Sequence, residues 1–235
     1  MSDRRFVLPG PPRFVLWLVA GNLLVALAFT ASLVVGTSGS GFIARQLDPG
    51  GEANLPTWYS SMQWALAAAL LAIYARFPPA GLTGGVRLYL PTLGALVLSL
   101  DEVAGIHEWV GQRSDFLLPG GTRAGTAFSS SGIWMFILLP VVIVAGIWVA
   151  RLLVDHLRAA PRATALFAAG ALLFMFGAAG LELATNAAAG DRSVQLAIST
   201  VEEVCELIGA SLVVWGAWEL LQGTGRQRER TTTGL

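Results

Sequence analysis

Residues 194–221 read VQLAISTVEEVCELIGASLVVWGAWELL. The stretch can cross the hydrocarbon core of a bilayer, which is about 30 Å thick and takes about 20 residues of α-helix. Near its middle it carries three glutamates, Glu202, Glu203 and Glu206. An ionisable group at membrane depth is costly, so it indicates a functional site by default. The stretch therefore predicts a membrane-spanning helix and, within it, a polar site.

Five other apolar stretches of comparable length precede this one. Together the predicted spans are residues 14–35, 58–74, 88–110, 133–153, 163–187 and 194–221. The chain of 235 residues is 54% hydrophobic and 13% charged, whereas soluble domains are about 25% charged. We therefore predict an all-α helical bundle that forms a single membrane domain over residues 1–235. The lipid bilayer is its expected partner, and the zero net charge without a basic stripe argues against nucleic acid.

The arginines predict how the chain is oriented, because cytoplasmic loops carry an excess of positive charge. All fifteen basic residues are arginine. Eleven lie at the termini and around the second and fourth loops, and Arg45, Arg113, Arg123 and Arg192 lie in the other three loops. Both termini should then be cytoplasmic, in a bacterial inner membrane. Trp134 falls at a predicted outer end, as expected for an interfacial aromatic belt.

Seven of the fifteen acidic residues fall in or at the edge of predicted spans. They are Asp101, Glu102, Glu108, Glu182, Glu202, Glu203 and Glu206. The predicted topology brings them all to a similar depth, between the midplane and the outer surface. Asn186 lies in the outer third of the fifth span, and Glu52 lies in an outer loop that could fold over the group.

Helical phase refines this arrangement, because successive residues are about 100° apart around a helix. The three glutamates of the last span share one stripe with Ser199. In the third span, Asp101 and Glu108 are seven residues apart and nearly coincide. Glu102 and His107 then point about 100° to either side of that pair.

Neighbouring carboxylates in a low-dielectric medium cannot all remain ionised, so they require protons, metal ions or arginines. Oxygen-rich sites with an imidazole suit Fe, Mn or Zn. The expected ligands of one or two such metals are Glu102, His107, Glu202, Glu203 and Glu206. The expected second shell or proton carriers are Asp101, Glu108, Glu182, Asn186 and Glu52. Such a site would support metal-dependent redox or hydrolytic chemistry on a lipid-phase substrate.

Three alternatives use the same acidic residues. The chain could be a proton- or cation-coupled transporter or channel, in which the acids bind and release ions. It could be a structural or assembly subunit of a membrane complex. The acids could also form a protonated, hydrogen-bonded network that only holds helices together. Outside this group, we expect His156 to be solvated in a cytoplasmic loop.

Four segments carry a resemblance to other proteins. They are GEANLPTW (residues 51–58), SLDE (99–102), IHE (106–108) and VEEVCE (201–206). In these segments the chain resembles a group of uncharacterised bacterial six-helix integral membrane proteins. The resemblance extends from the first outer loop to the last helix, and it implies that these motifs act as one unit.

Overall fold

The computed structural model describes residues 10–34, 42–47, 54–79, 81–128, 133–188 and 190–233. Within these ranges the chain is predominantly helical and has no β-strand, which confirms the predicted all-α class. The α-helices are α1 (Arg13–Val34), α2 (Phe42–Gln46), α3 (Leu55–Arg76), α4 (Leu90–Ala104), α5 (Ile106–Arg113), α6 (Trp134–Leu152), α7 (Val154–Ala159), α8 (Pro161–Met175), α9 (Glu182–Ala187) and α10 (Arg192–Thr233).

In the part of the chain that the structure describes, four helical segments are long and apolar enough to cross a membrane. They are Arg13–Ala31, Trp134–Leu152, Pro161–Ala187 and Ser193–Gly223. A fifth crossing is counted if the bent pair Val86–Ala104 and Ile106–Leu117 forms one span. These five segments coincide with five of the six predicted spans. The other predicted span, residues 58–74, lies within α3, whose 22 residues are half buried among the other helices.

Helix α3 packs against α4 and α10. Its start is defined by a capping box in which the Asn54 side chain accepts from the Thr57 N–H at 3.0 Å, and Thr57 Oγ1 accepts from the Asn54 N–H at 3.1 Å. Further along, Ala67 of α3 and Ala210 and Val214 of α10 belong to one apolar cluster, and all three are fully buried. The apolar core therefore forms along the contact between α3 and α10.

Helices α8 and α10 approach each other closely through paired glycines. A Cβ atom placed on Gly209 would lie 2.8 Å from the Gly170 carbonyl oxygen and 2.8 Å from the Phe174 nitrogen. A Cβ atom on Gly170 would lie 2.7 Å from the Gly209 carbonyl oxygen. Glycine at both positions is what allows the two backbones to meet, as small residues do in membrane bundles.

A buried polar network joins α1, α3 and α10. The Asn22 amide donates to the Leu207 carbonyl at 3.1 Å and to Ser211 Oγ at 3.0 Å. The Gln63 amide donates to Asn22 Oδ1 at 2.9 Å, and Ser211 Oγ donates to Gln63 Oε1 at 2.6 Å. Each of the three side chains is buried and bonded to both of the others. A closed network of this kind fixes the relative register of the three helices.

His156 is buried, so the prediction that it is solvated is wrong. It is only 3% exposed and lies between the Tyr74 hydroxyl, at 2.7 Å from Nδ1, and the Thr83 carbonyl oxygen, at 3.1 Å from Nε2. Because a carbonyl only accepts, Nε2 carries the proton and Nδ1 accepts from Tyr74. His156 therefore ties α7 to α3 and to the segment between α3 and α4.

Candidate functional site

One cavity of about 250 Å³ collects all seven acidic residues that the sequence placed in or beside the membrane. They are Asp101, Glu102, Glu108, Glu182, Glu202, Glu203 and Glu206. His107 and Ser199 also line it. These side chains come from α4, α5, α9 and α10, which are far apart in sequence. The rest of the wall consists of Thr57, Trp134, Thr185 and the apolar side chains of Leu98, Leu138, Val142, Phe174, Met175 and Ala178.

The cavity is shaped first by a break between α4 and α5. Gly105 adopts the left-handed conformation, with φ 57° and ψ 41°, and its N–H ends α4 by donating to the Asp101 carbonyl at 2.8 Å. Glycine adopts this conformation without the steric penalty of a Cβ atom. The chain turns by 68° here. The prediction of one uninterrupted span over residues 88–110 is therefore wrong, as is the helical phase derived from it.

The break brings His107 back onto Asp101. Oδ1 of Asp101 accepts from the His107 backbone N–H at 2.9 Å, and Oδ2 lies 2.9 Å from His107 Nδ1. Since a carboxylate only accepts, Nδ1 is the donor of the second bond. Both side chains are about one quarter exposed. Asp101 thus orients the imidazole ring and stabilises the start of α5.

Trp134 connects this pair to the other side of the cavity. Its ring centroid lies 4.9 Å from that of His107, and its Nε1 donates to Glu182 Oε1 at 2.8 Å. The predicted role of Trp134 as an interfacial anchor is therefore wrong, since the ring is 8% exposed and bonded within the site. A tryptophan at the end of an apolar segment is typical of a lipid anchor. The sequence around Trp134 does not indicate that it has a partner on α9.

A π-helical turn, Phe176–Leu181, joins α8 to α9 immediately before Glu182. Such turns occur frequently at functional sites. Within it, a Cβ atom on Gly177 would lie 2.9 Å from Glu206 Cγ and 3.0 Å from the Glu202 carbonyl oxygen. The turn therefore presents Glu182 to the cavity and lets α10 bring its own glutamates close to the same wall.

Helix α10 contributes Glu202, Glu203 and Glu206, each of which is partly buried. Asn186, expected beside them, is buried, and its side-chain amide donates to the Glu182 backbone carbonyl at 3.1 Å. It does not line the cavity. Glu52 lies outside the described residues.

Two arginines of the predicted outer loops have partners away from the cavity. Arg123 pairs with both carboxylate oxygens of Asp115, at 3.0 and 2.9 Å from Nε, and Arg113 lies 5.4 Å above the Trp109 ring. Across the described ranges, no group of three or more His, Cys, Asp or Glu side chains is arranged to hold a metal ion. The expected ligands thus share one cavity without forming a coordination sphere.

The described residues thus form an all-helical fold in which four or five helices are long and apolar enough to cross a membrane, with an acidic cavity among the helices. The chain belongs to the family described as Domain of unknown function (DUF8692), which matches residues 15–220. The match includes α3 and every helix that lines the cavity. No curated protein and no solved structure matches the chain.

Proposed function

We propose that this protein is a proton- or cation-coupled transporter or channel, and that the cavity acids bind and release the ion. The observation that carries the proposal is the convergence of seven carboxylates and His107 on one cavity between apolar helices. Acidic side chains inside a membrane are costly, and where they occur they mark ion pathways and proton relays. An acidic site that is half walled by apolar side chains favours a small positively charged occupant.

Two interruptions of the helices support an ion site. The break at Gly105 and the π-helical turn over Phe176–Leu181 both adjoin the cavity. Transporters commonly build their ion sites from discontinuous helices, because the backbone can leave the helical pattern only where it lines a cavity or is covered by protein. Here each interruption lies within four residues of a cavity carboxylate, Asp101 or Glu182.

The proposal includes six membrane crossings with both termini on the cytoplasmic side. Helix α3 has 22 residues, which corresponds to about 33 Å at 1.5 Å per residue. Adding it to the four straight candidates and the bent pair gives six crossings. The eleven-to-four distribution of arginine supports the orientation, in a bacterial inner membrane, with the cavity in the outer half.

Flux in liposomes tests the proposal. Purified protein should dissipate an imposed pH or cation gradient faster than protein-free liposomes do. Glu206→Gln, which removes one cavity charge and keeps the side-chain shape, should reduce the rate to that of empty liposomes. Asp155→Asn is the matched control, because Asp155 is exposed on α7, away from the cavity. Wild-type liposomes that leak no faster than empty ones for protons, Na⁺, K⁺ or divalent cations would reject the proposal.

A second candidate is a divalent-metal site that supports redox or hydrolytic chemistry. The observation in its favour is the bond from His107 Nδ1 to Asp101, because metal-binding histidines usually donate their other ring N–H to a carboxylate. The ligands would be Glu102, His107, Glu202, Glu203 and Glu206, drawn together by Fe, Mn or Zn. Elemental analysis tests this candidate. Near-stoichiometric metal that is lost in a Glu203→Gln, Glu206→Gln double variant supports it, and well-folded protein without metal rejects it.

A further inference from the structure

Two side chains of α3 hold buried polar atoms without a partner. Ser60 is 1% exposed and Trp64 is 5% exposed. Among the described residues, neither Ser60 Oγ nor Trp64 Nε1 has a hydrogen-bond partner. Buried polar atoms are nearly always bonded, either to protein or to ordered water. We therefore expect both atoms to have a hydrogen-bond partner other than a protein group.

Their position relates them to each other and to the carboxylate cavity. Ser60 and Trp64 are four residues apart, so they lie on the same face of α3. The Trp64 ring meets the Phe174 ring edge-on at 5.0 Å between centroids, and Phe174 lines the cavity. Gln63, between them in sequence, belongs to the buried network with Asn22 and Ser211. Thr57, three residues before Ser60 on α3, also lines the cavity, so the pair follows the cavity wall along the helix.

We propose that Ser60 and Trp64 form a buried site for a water molecule. An indole N–H only donates, whereas a serine hydroxyl both donates and accepts. The ligand must therefore accept from Trp64 and can exchange a hydrogen bond of either direction with Ser60. A metal cation does not meet this requirement, because it cannot accept from an N–H group. Water meets it, and buried waters typically have two to four polar partners.

This site extends the polar region of the cavity towards the C-terminal end of α3. Beyond it and the Gln63 network, the described parts of α3 and α10 share a buried apolar cluster that includes Ala67, Leu71, Ala210 and Val214. If the cavity carries ions, as the proposed function requires, the water extends the route past Phe174. The apolar layer then closes the route before the other end of the bundle.

Water-edited solid-state NMR on liposomes with ¹⁵N-labelled tryptophan tests the site. Magnetisation should pass from water to the Trp64 Nε1–H, identified as the signal that Trp64→Phe removes. Ser60→Val, whose larger side chain fills the position, should abolish this transfer. The Trp215 Nε1–H donates to Glu219 at 3.0 Å and provides an indole with a protein acceptor for reference. Absence of transfer to Trp64 in the wild type would overturn the proposal.

Thermal stability gives a second test, because the Tm of the Ser60→Ala variant should change in opposite directions depending on whether water occupies the site. If water occupies the site, Ser60→Ala removes one of its partners and the Tm falls. If the site is dry, the same change removes an unsatisfied hydroxyl and the Tm rises, which would also overturn the proposal. Ser61→Ala is the matched control, because Ser61 donates to the Ser99 carbonyl at 2.8 Å and its loss should lower the Tm in either case. Neither measurement uses an ion gradient, so failure of the flux assay leaves this result unaffected.

Discussion

Substitution of Gly209 by alanine should force α8 and α10 apart. The new Cβ atom would lie 2.8 Å from two backbone atoms, the Gly170 oxygen and the Phe174 nitrogen, whereas ordinary van der Waals contact begins at 3.4 Å. Each of these two distances is therefore about 0.6 Å shorter than an ordinary contact. Backbone atoms in packed helices cannot rotate away as a side chain can, so the helices themselves have to separate.

Overpacking of this kind typically costs about 1–3 kcal/mol. A chain of this size loses roughly 2–4 °C in Tm for each kcal/mol, so we expect Gly209→Ala to lower the Tm by roughly 2–12 °C. The measurement is a thermal melt of purified protein in detergent. The same displacement would move Phe174 and thereby the cavity wall, so ion flux should fall as well.

Gly146→Ala is the matched control, because Gly146 lies in α6 and a Cβ atom there has no neighbour within 4 Å. Alanine is favoured over glycine inside a helix by about 1 kcal/mol. The control should therefore melt at the wild-type temperature or slightly above it. Gly209→Ala protein that melts no lower than this control would refute the close packing of α8 on α10.

Three other outcomes follow from the site and its supports. Gly105→Ala should destabilise the protein by roughly 1–2 kcal/mol in denaturant melts, because a Cβ atom is unfavourable in the left-handed conformation. Trp134→Phe should cost about 1 kcal/mol in the same assay, since it removes the hydrogen bond to Glu182. The Ser193 hydroxyl, and then backbone N–H groups, hold the pKa of Asp191 below its usual range. Asp191→Ala should therefore destabilise the protein at neutral pH, and the difference from wild type should vanish as the pH falls through the lowered pKa.

Each of these has a defined control or a contrary result. Gly94→Ala, in open space on α4, should not reproduce the loss seen for Gly105→Ala. Trp148→Phe, exposed on α6, should leave stability unchanged, and an equal loss for both tryptophan variants would contradict the bond to Glu182. A stability difference for Asp191→Ala that is constant from neutral to acidic pH would mean that the carboxylate contributes nothing as a charge.

Much of the site follows from sequence because membrane crossings impose depth. A helix advances 1.5 Å per residue, so the position of an acid within an apolar stretch fixes its distance from the surface. This reasoning placed Asp101, Glu182 and Glu206 at one depth, and all three line the same cavity. The shared face of Glu202, Glu203 and Glu206 on α10 was also predictable, because that helix is continuous from Arg192 to Thr233.

The same reasoning failed where the helix was not continuous. A glycine such as Gly105 can lie within a straight helix or end one, and helical phase does not distinguish the two; in the fold it adopts the left-handed conformation and ends α4. The pairing of His107 with Asp101 follows from that break and was not predictable from helical phase. The buried position of His156 depends on Tyr74 and Thr83, which belong to other segments of the chain.

Apolar length and the order of the charged residues along the chain were sufficient to predict a helical membrane protein with an acidic interior, because both act locally through the cost of placing charge in hydrocarbon. Contacts between distant helices determined the rest. They set the partner of Trp134 and the burial of Ser60 and Trp64. Hydrogen bonds and close packing act only over a few ångströms, so these features exist only once the helices have come together.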